Sequence, residues 1–162
     1  MARRPSGDLR AWRLTKAKYA GSALSGIGSA LRAGRWHARG RPVVYAASSA
    51  SLALLETLVH VDRTELLRAA YVAVPLDVPA GLVERVDLDD LPADWQAWPH
   101  PPSTQALGTA WFDGQRSAAL VVPSVVVPRE WNVLLNPTHP DFRQIGAGDP
   151  EPFPVDPRLS RP

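Results

Sequence analysis

The stretch Gly34–His60 constrains the fold of this chain most, because it joins a short β-branched run to an apolar helix pattern. A turn at Gly40 and Pro42 precedes the run Val43–Ala46, which predicts a buried strand. Residues from about Leu52 to Val61 are apolar nearly all round, so they predict a centrally packed helix.

One carboxylate, Glu56, lies in the middle of this helix pattern. Leu52 and His60 are each one helical turn away on the same face. A charge among apolar residues is costly unless a partner or a hydrated cleft stabilises it. Glu56 is therefore either an ordinary helix residue or a functional carboxylate, and both interpretations stay open at this point.

Length and composition favour one domain over residues 1–162, because 45% of the chain is hydrophobic and can form a core. Residues 1–10 are expected to be a flexible N-terminal tail. No apolar run is long enough to span a membrane, so no membrane contact is expected. Cysteine is absent, which excludes disulfides and thiolate metal sites and fits a cytoplasmic location.

Charge is unevenly placed along the chain. Residues 1–41 hold ten of the 18 Lys and Arg side chains but, of the 16 acidic ones, only Asp8. Such a basic quarter is typical of a chain that binds an anion, either nucleic acid or the pyrophosphate of a dinucleotide. A solvated basic face is the alternative for any single arginine.

The remaining patterns predict several short strands and few helices, without strict alternation, which indicates a mixed α/β domain with largely antiparallel strands. The acidic, proline-rich segment 76–102 is expected to be an ordered surface excursion around one strand. The predicted strands are Ala11–Leu14, Leu66–Val74, Val83–Leu88, Ala118–Val122, Val125–Val127, Trp131–Leu135 and an edge strand near Phe153 and Val155, and the second predicted helix is Ser103–Phe112.

Several kinds of site lack their sequence signatures. The four histidines are scattered without a metal-ligand spacing, so no metal is expected. No nucleophile elbow, phosphate-binding loop or helix-turn-helix occurs, and the Gly26–Gly28 loop lacks the third glycine of a dinucleotide fingerprint. A pair of carboxylates flanking a glycosidic bond is missing too, because the other acids cluster in Asp87–Asp94.

A single carboxylate with arginines and a tyrosine suits cleavage of a nucleotide N-glycosidic bond. The carboxylate can stabilise the cationic ribose that forms as the base leaves. Arginines can bind a pyrophosphate, and an aromatic ring can stack on the departing base.

The chain resembles the RES domain family of bacterial toxins, whose fold is related to ADP-ribosyltransferases. The order and spacing of the matching pieces carry the resemblance. They are Trp12-Arg13, Leu24-Ser25-Gly26-x-Gly28, Gly34-Arg35-Trp36, Val43-Val44-Tyr45-Ala46, Ala53-Leu54-Leu55-Glu56-Thr57-Leu58-Val59-His60, Leu120-Val121-Val122-Pro123-Ser124, Asn132-x-Leu134-Leu135-Asn136-Pro137-x-His139-Pro140 and Phe153-Pro154-Val155-Asp156-Pro157-Arg158-Leu159.

The resemblance implies an enzyme that destroys NAD+ as its substrate, without a further cofactor, by hydrolysis or by transfer of ADP-ribose to phosphate. Matched position by position, the implied catalytic residues are Glu56, Arg35 and Tyr45. The implied contacts with NAD+ are Arg13, Arg35, Tyr45, Ser124 and Asn132.

Two positions depart from the family pattern. His37 follows Gly34-Arg35-Trp36 where the family usually has Asn, and Ala33 replaces the first glycine of the usual motif. His37 can keep a hydrogen bond in that place.

The resemblance also implies a partner, an antitoxin with a DNA-binding helix-turn-helix part that caps the NAD+ cleft. Direct contact with nucleic acid would then belong to the antitoxin, and a homodimer within the complex is possible in this family. Transfer of ADP-ribose to a protein acceptor, and an inactive RES-like binding module, are the alternatives.

Overall fold

The computed structural model describes residues 7–160 and shows an eight-stranded sheet. Its strands pair in the order β4-β5-β6-β2-β1-β3-β7, and β8 also pairs with β3. Every pairing is antiparallel except β4 with β5, which is parallel. The strands are β1 Leu9–Lys16, β2 Val44–Ala47, β3 Tyr71–Val78, β4 Val83–Arg85, β5 Ala119–Pro123, β6 Trp131–Leu135, β7 Gly146–Ala147 and β8 Glu151–Phe153.

Within residues 7–160, four α-helices accompany the sheet, and short 3-10 turns lie between the elements. The predicted mixed α/β class with largely antiparallel strands is confirmed, as is the helix that carries Glu56. None of the helices within residues 7–160 is long and apolar enough to cross a membrane. The helices are α1 Ile27–Leu31, α2 Ala50–Leu58, α3 Arg63–Arg68 and α4 Pro102–Gly114.

Strand β5 shows how the sheet is buried on both faces. Val121 packs into a core cluster with residues of β1, β2 and β3, whereas Leu120 and Val122 pack against α4. Because successive side chains of a strand point to opposite faces, both faces of this strand need apolar residues. The uninterrupted apolar run Ala118–Val122 is the sequence signature of that double burial.

The boundaries of several elements differ from the predicted ones. The flexible tail was predicted over residues 1–10, but Leu9 and Arg10 belong to β1, and residues 1–6 lie outside the described range. Helix α2 ends at Leu58, so His60 follows the helix instead of forming part of it.

One predicted strand is wrong in part, and another is wrong throughout. Of the predicted strand Leu66–Val74, the first residues form the end of α3, because Asp62 caps that helix by accepting from the Thr64 N–H at 2.8 Å. Val125–Val127 is a turn, since the Val127 N–H donates to Ser124 Oγ at 3.0 Å and not to a neighbouring strand.

Candidate active site

The start of α2 is fixed by a serine cap directly after β2. Ser49 Oγ accepts a hydrogen bond from the Leu52 N–H at 3.0 Å and donates one to Glu130 Oε2 at 3.2 Å. The first bond satisfies an amide at the helix start that has no partner within the helix. By fixing the start of α2, this cap also fixes the direction in which the Glu56 side chain projects from the helix two turns further on.

One oxygen of the Glu56 carboxylate is held by two side chains from the far end of the chain. Oε1 accepts from Ser124 Oγ at 2.7 Å and from Asn132 Nδ2 at 2.7 Å. Oε2 makes no hydrogen bond to any residue within 7–160. Glu56 itself lines a cleft. The carboxylate is therefore held in one orientation with its second oxygen available to a ligand.

The sheet brings these partners to Glu56. Asn132 lies on β6, where it pairs with Ala47 of β2 on one side and Val122 of β5 on the other. Ser124 directly follows β5 and is fully buried. Ser124 therefore contacts the Glu56 carboxylate without lining the cleft, whereas Asn132 contacts the carboxylate and also lines the cleft.

The cleft has a volume of about 770 Å³, within the size range of small-molecule sites. Of the residues expected at the site, five line it and Ser124 lies behind the wall. Those five are Arg13, Arg35, Tyr45, Glu56 and Asn132.

Arg35 connects the cleft to the proline-rich segment. Its Nη1 donates to the Trp95 carbonyl at 2.7 Å and its Nη2 to the Ala97 carbonyl at 3.0 Å. Burial lowers the pKa of Arg35, and the opposing attraction of Glu56 and Tyr45 is smaller. A guanidinium has five N–H donors, so Arg35 can hold this segment and still donate to an anion in the cleft.

Arg13 is bound to the protein itself. Its Nε donates to the Ala23 carbonyl at 3.3 Å and its Nη1 to the Tyr45 carbonyl at 3.0 Å. Burial lowers the pKa of this side chain. Arg13 thus ties β1 to β2 beneath the cleft, in addition to any contact with a ligand.

Other basic side chains of the first 41 residues form ion pairs on the surface, as expected for a solvated basic face. They account for part of the charge asymmetry without a ligand. These pairs are Arg10 with Asp77, Lys16 with Glu65, and Arg41 with Asp113.

Tyr45, on β2, is held by His37, which follows Arg35 by two residues. Its hydroxyl lies 2.6 Å from Nδ1 of His37, whose side chain is buried. Burial raises the pKa of Tyr45 well above its ordinary value, so the phenol keeps its proton at neutral pH.

Helix α4 fixes the segment 34–38 that carries Arg35 and His37. A Cβ at Gly108 would lie 1.8 Å from the Trp36 carbonyl oxygen, so only glycine permits this approach. Thr109 Oγ1 accepts from the Ala38 N–H at 2.9 Å, and Gln105 Nε2 donates to the Gly34 carbonyl at 3.2 Å.

Three ring side chains of the cleft were not expected from the sequence as ligand contacts. His60, Trp98 and His100 all line it. Trp98 is 77% exposed, and its ring centroid lies 6.3 Å from that of His100. Trp98 and His100 lie in the proline-rich segment 76–102, where nothing in the sequence pattern indicates a ligand contact.

The surroundings of His100 favour its neutral form. Burial lowers the pKa of His100 first, and the positive charge of Arg35 lowers it further. Residues 7–160 contain no cluster of three or more His, Cys, Asp or Glu side chains that could hold a metal ion.

Comparison with known proteins assigns the family. The family model described as "RES domain" matches residues 10–156. The chain belongs to the RES domain family. The sequence resemblance is therefore confirmed over nearly the whole of this RES domain.

Curated relatives of this RES domain are toxins. One is "Toxin Res" of Photorhabdus laumondii, 46% identical over 149 residues, which cover 91% of this chain and 95% of the relative. A second is "Toxin Res" of Yersinia enterocolitica, 36% identical, with 91% and 97% covered. A third is "Prs ADP-ribosylating toxin" of a Sphingobium species, 40% identical over 155 residues, with 93% and 96% covered.

A solved structure shares the fold of this RES domain. It is a chain of the MbcT–MbcA toxin–antitoxin complex of M. tuberculosis, with a TM-score of 0.71. The match covers 94% of this chain and 87% of that one at 22% sequence identity.

Proposed function

We propose that this RES domain is the toxin of a toxin–antitoxin pair and degrades NAD+ by cleaving the bond between nicotinamide and ribose. The observation that carries the proposal is the Glu56 carboxylate, with Oε1 bound by Ser124 and Asn132 and Oε2 available in the cleft. The identity of 46% to a curated toxin supports the toxin part of the proposal.

The chemistry matches this arrangement. As the bond between C1′ and the nicotinamide nitrogen breaks, nicotinamide leaves as a neutral base and positive charge develops on the ribose. A fixed carboxylate beside that ring stabilises the charge and can accept a hydrogen bond from a ribose hydroxyl. Water or phosphate then forms the new bond to C1′, and water loses a proton to the solvent in doing so.

The other cleft residues would hold the two ends of the dinucleotide. Arg35 keeps N–H donors beyond the two that bind Trp95 and Ala97, and these suit the pyrophosphate. Trp98 offers an exposed ring on which a base can stack. NAD+ is the substrate in this scheme, and no resident cofactor is required.

Transfer of ADP-ribose to a protein is the second candidate. It is favoured by the Sphingobium relative, 40% identical, whose name is "Prs ADP-ribosylating toxin". The same bond of NAD+ breaks in both reactions, and only the acceptor differs.

The partner of the proposed toxin is an antitoxin. The M. tuberculosis neighbour was solved as a toxin–antitoxin complex, which supports this class of partner. A helix-turn-helix part in the antitoxin, the absence of direct nucleic-acid contact by the toxin, and a homodimer within the complex remain predictions.

The decisive experiment measures nicotinamide release by purified protein free of antitoxin. We expect release from NAD+, with ADP-ribose as product in buffer and ADP-ribose phosphorylated at C1 when phosphate is the acceptor. Folded protein that binds NAD+ without releasing nicotinamide would instead identify an inactive binding module.

The Glu56→Gln variant tests the role of the carboxylate. It removes the negative charge with little change in shape, so we expect nicotinamide release to fall by roughly 100-fold or more. Glu84→Gln is the matched control, because Glu84 is a largely buried glutamate on β4 that pairs with Arg116 outside the cleft. Equal activity of wild type and Glu56→Gln would place the catalytic group elsewhere.

Mass spectrometry separates the two candidate reactions. The protein is incubated with NAD+ and a cell lysate, and tryptic peptides are searched for an added ADP-ribose. Free ADP-ribose or its phosphate without modified peptides supports NAD+ degradation, whereas a modified peptide at yields matching nicotinamide release supports protein modification.

A further inference from the structure

His37 is buried in the wall of the cleft with both ring nitrogens in hydrogen bonds. It is 3% exposed. Nδ1 lies 2.6 Å from the Tyr45 hydroxyl, and Nε2 lies 3.0 Å from the Ser29 carbonyl and 2.9 Å from the Arg32 carbonyl. The imidazole thus bridges the end of α1 and the tyrosine of the site.

These partners define the tautomer of a neutral imidazole. Carbonyl oxygens only accept hydrogen bonds, so Nε2 carries the hydrogen and donates to Ser29 and Arg32. Nδ1 then has a lone pair and must accept, which makes the Tyr45 hydroxyl the donor. The direction of the Tyr45 O–H bond is therefore set by two backbone carbonyls on the far side of His37.

A tyrosine hydroxyl has one hydrogen and two acceptor lone pairs. Once the hydrogen is used by His37, the oxygen can only accept hydrogen bonds. The Trp36 backbone N–H occupies one of its acceptor positions, and the other is left for a molecule in the cleft. The raised pKa of Tyr45, caused by its burial, keeps that hydrogen in place at neutral pH.

The neighbouring chain is shaped around this pair. A Cβ at Gly34 would lie 2.7 Å from His37 Cε1 and 3.1 Å from the Tyr45 hydroxyl, so a larger residue would displace one of the two rings. The Gly34 N–H donates to the His37 carbonyl at 3.0 Å, which closes the tight turn that presents the imidazole.

We propose that His37 is a positioning residue that fixes the Tyr45 hydroxyl as a hydrogen-bond acceptor toward a donor of the substrate. The inference rests on the proposed function, since the donor it serves is a ribose hydroxyl or the carboxamide N–H of NAD+. It adds His37 to the residues Glu56, Arg35 and Tyr45 that serve the proposed function. It also defines the direction of the hydrogen bonds that the Tyr45 hydroxyl makes.

Substitutions at His37 separate positioning from mere packing. Asn places a side-chain oxygen near the position of Nδ1 and can accept from Tyr45, whereas Leu fills the space without an acceptor. Both lose the bonds to Ser29 and Arg32, so they form a matched pair. We expect His37→Leu to lower kcat roughly tenfold with a smaller change in KM, and His37→Asn to restore most of kcat.

A double-mutant cycle with Tyr45→Phe shows whether His37 acts through the hydroxyl. If it does, His37→Leu lowers kcat in the wild-type background but has little further effect in Tyr45→Phe. Additive losses, or equal losses in the Asn and Leu variants with equal thermal stability, would overturn the proposal.

NMR gives a readout that does not depend on turnover. In long-range ¹H–¹⁵N spectra of the full chain, His37 should show the Nε2–H tautomer, and a slowly exchanging hydroxyl proton should disappear in Tyr45→Phe. The Nδ1–H tautomer would overturn the inference even if nicotinamide is released. An inactive wild type showing the Nε2–H tautomer would overturn the proposed function while the geometry of the pair stands.

Discussion

Ser124 is the predicted site residue that the structure places furthest from the surface of the cleft, since it alone of the six does not line it. The family resemblance implied a contact with NAD+, but the hydroxyl is fully buried, donates to Glu56 Oε1 and accepts from the Val127 N–H. A serine that makes both bonds orients the carboxylate and closes the turn after β5 at once. Its loss should therefore affect kcat and stability together.

The Ser124→Ala variant tests this dual role. It leaves Glu56 held by Asn132 alone, so we expect kcat for nicotinamide release to fall roughly tenfold, together with a loss of about 1–3 kcal/mol in the free energy of unfolding. Ser117→Ala is the control, since Ser117 is also buried and hydrogen-bonded, to Trp111 and Ala119, away from the cleft. Similar destabilisation of both variants with similar kcat would argue against orientation of Glu56 by Ser124.

Single residues could be predicted only as far as local patterns reach. Glu56 was identifiable because a carboxylate interrupts an apolar helix pattern. Its bonds to Ser124 and Asn132 span 68 and 76 residues, so nothing in the local sequence indicates them. The site set came from the family resemblance, and the catalytic roles stay predictions.

At the level of elements, the contact between α4 and the segment 34–38 determines the position of Arg35. Gly108 allows the helix backbone to approach the Trp36 carbonyl. Its neighbour Thr109 and Gln105, about one turn earlier, bind the same segment. The two elements are far apart in sequence, and the helix pattern Ser103–Phe112 does not indicate which residue makes this close contact.

The Gly108→Ala variant tests this contact. The new methyl group would force α4 away from Trp36, and we expect a loss of roughly 3 kcal/mol in the free energy of unfolding, measured by urea denaturation. Gly28→Ala is the control, because Gly28 lies in α1 with open space around its Cβ position, and there alanine should stabilise by about 0.5–1 kcal/mol. An unchanged denaturation midpoint for Gly108→Ala would refute the close approach.

The elements that the sequence predicted well are short, mostly apolar runs bounded by proline or polar residues. Runs such as Ala118–Val122 and Trp131–Leu135 became β5 and β6 with shifts of a residue or less. Side-chain hydrogen bonds to the backbone account for the failures. The cap by Asp62 turns the start of Leu66–Val74 into a helix, and Ser124 turns Val125–Val127 away from the sheet.

On the scale of the whole molecule, β6 occupies a central place in the sheet. It pairs with β5 on one edge and β2 on the other, and Val133, Leu134 and Leu135 are fully buried. Helix α3 is far less buried than β6, since Leu66 is its only buried residue. Stability should therefore be unequal across the fold.

Amide hydrogen exchange followed by NMR checks this inequality. We expect the amides of β6 and of its neighbours β5 and β2 to exchange slowest, through global unfolding, because both faces of these strands are covered. Amides of α3 should exchange through local opening, many times faster. Equal protection of α3 and β6 would show that the molecule unfolds as a single cooperative unit.

Fold class followed from the mixture of short strands and few helices, whereas the strand order did not. The order β4-β5-β6-β2-β1-β3 joins elements that are distant in the chain, and no periodicity encodes such pairings. The segment 76–102 shows the same limit, because a proline-rich surface excursion supplied two side chains of the cleft, Trp98 and His100.

The late position of β6 in the chain bears on how such a protein is synthesised. A ribosome delivers Glu56 long before Trp131–Leu135, and until that strand emerges nothing in the sheet connects β2 to β5. The carboxylate also lacks Asn132 throughout that interval. We therefore expect nascent chains to be harmless to their own cell, so that an antitoxin needs to recognise only the finished fold.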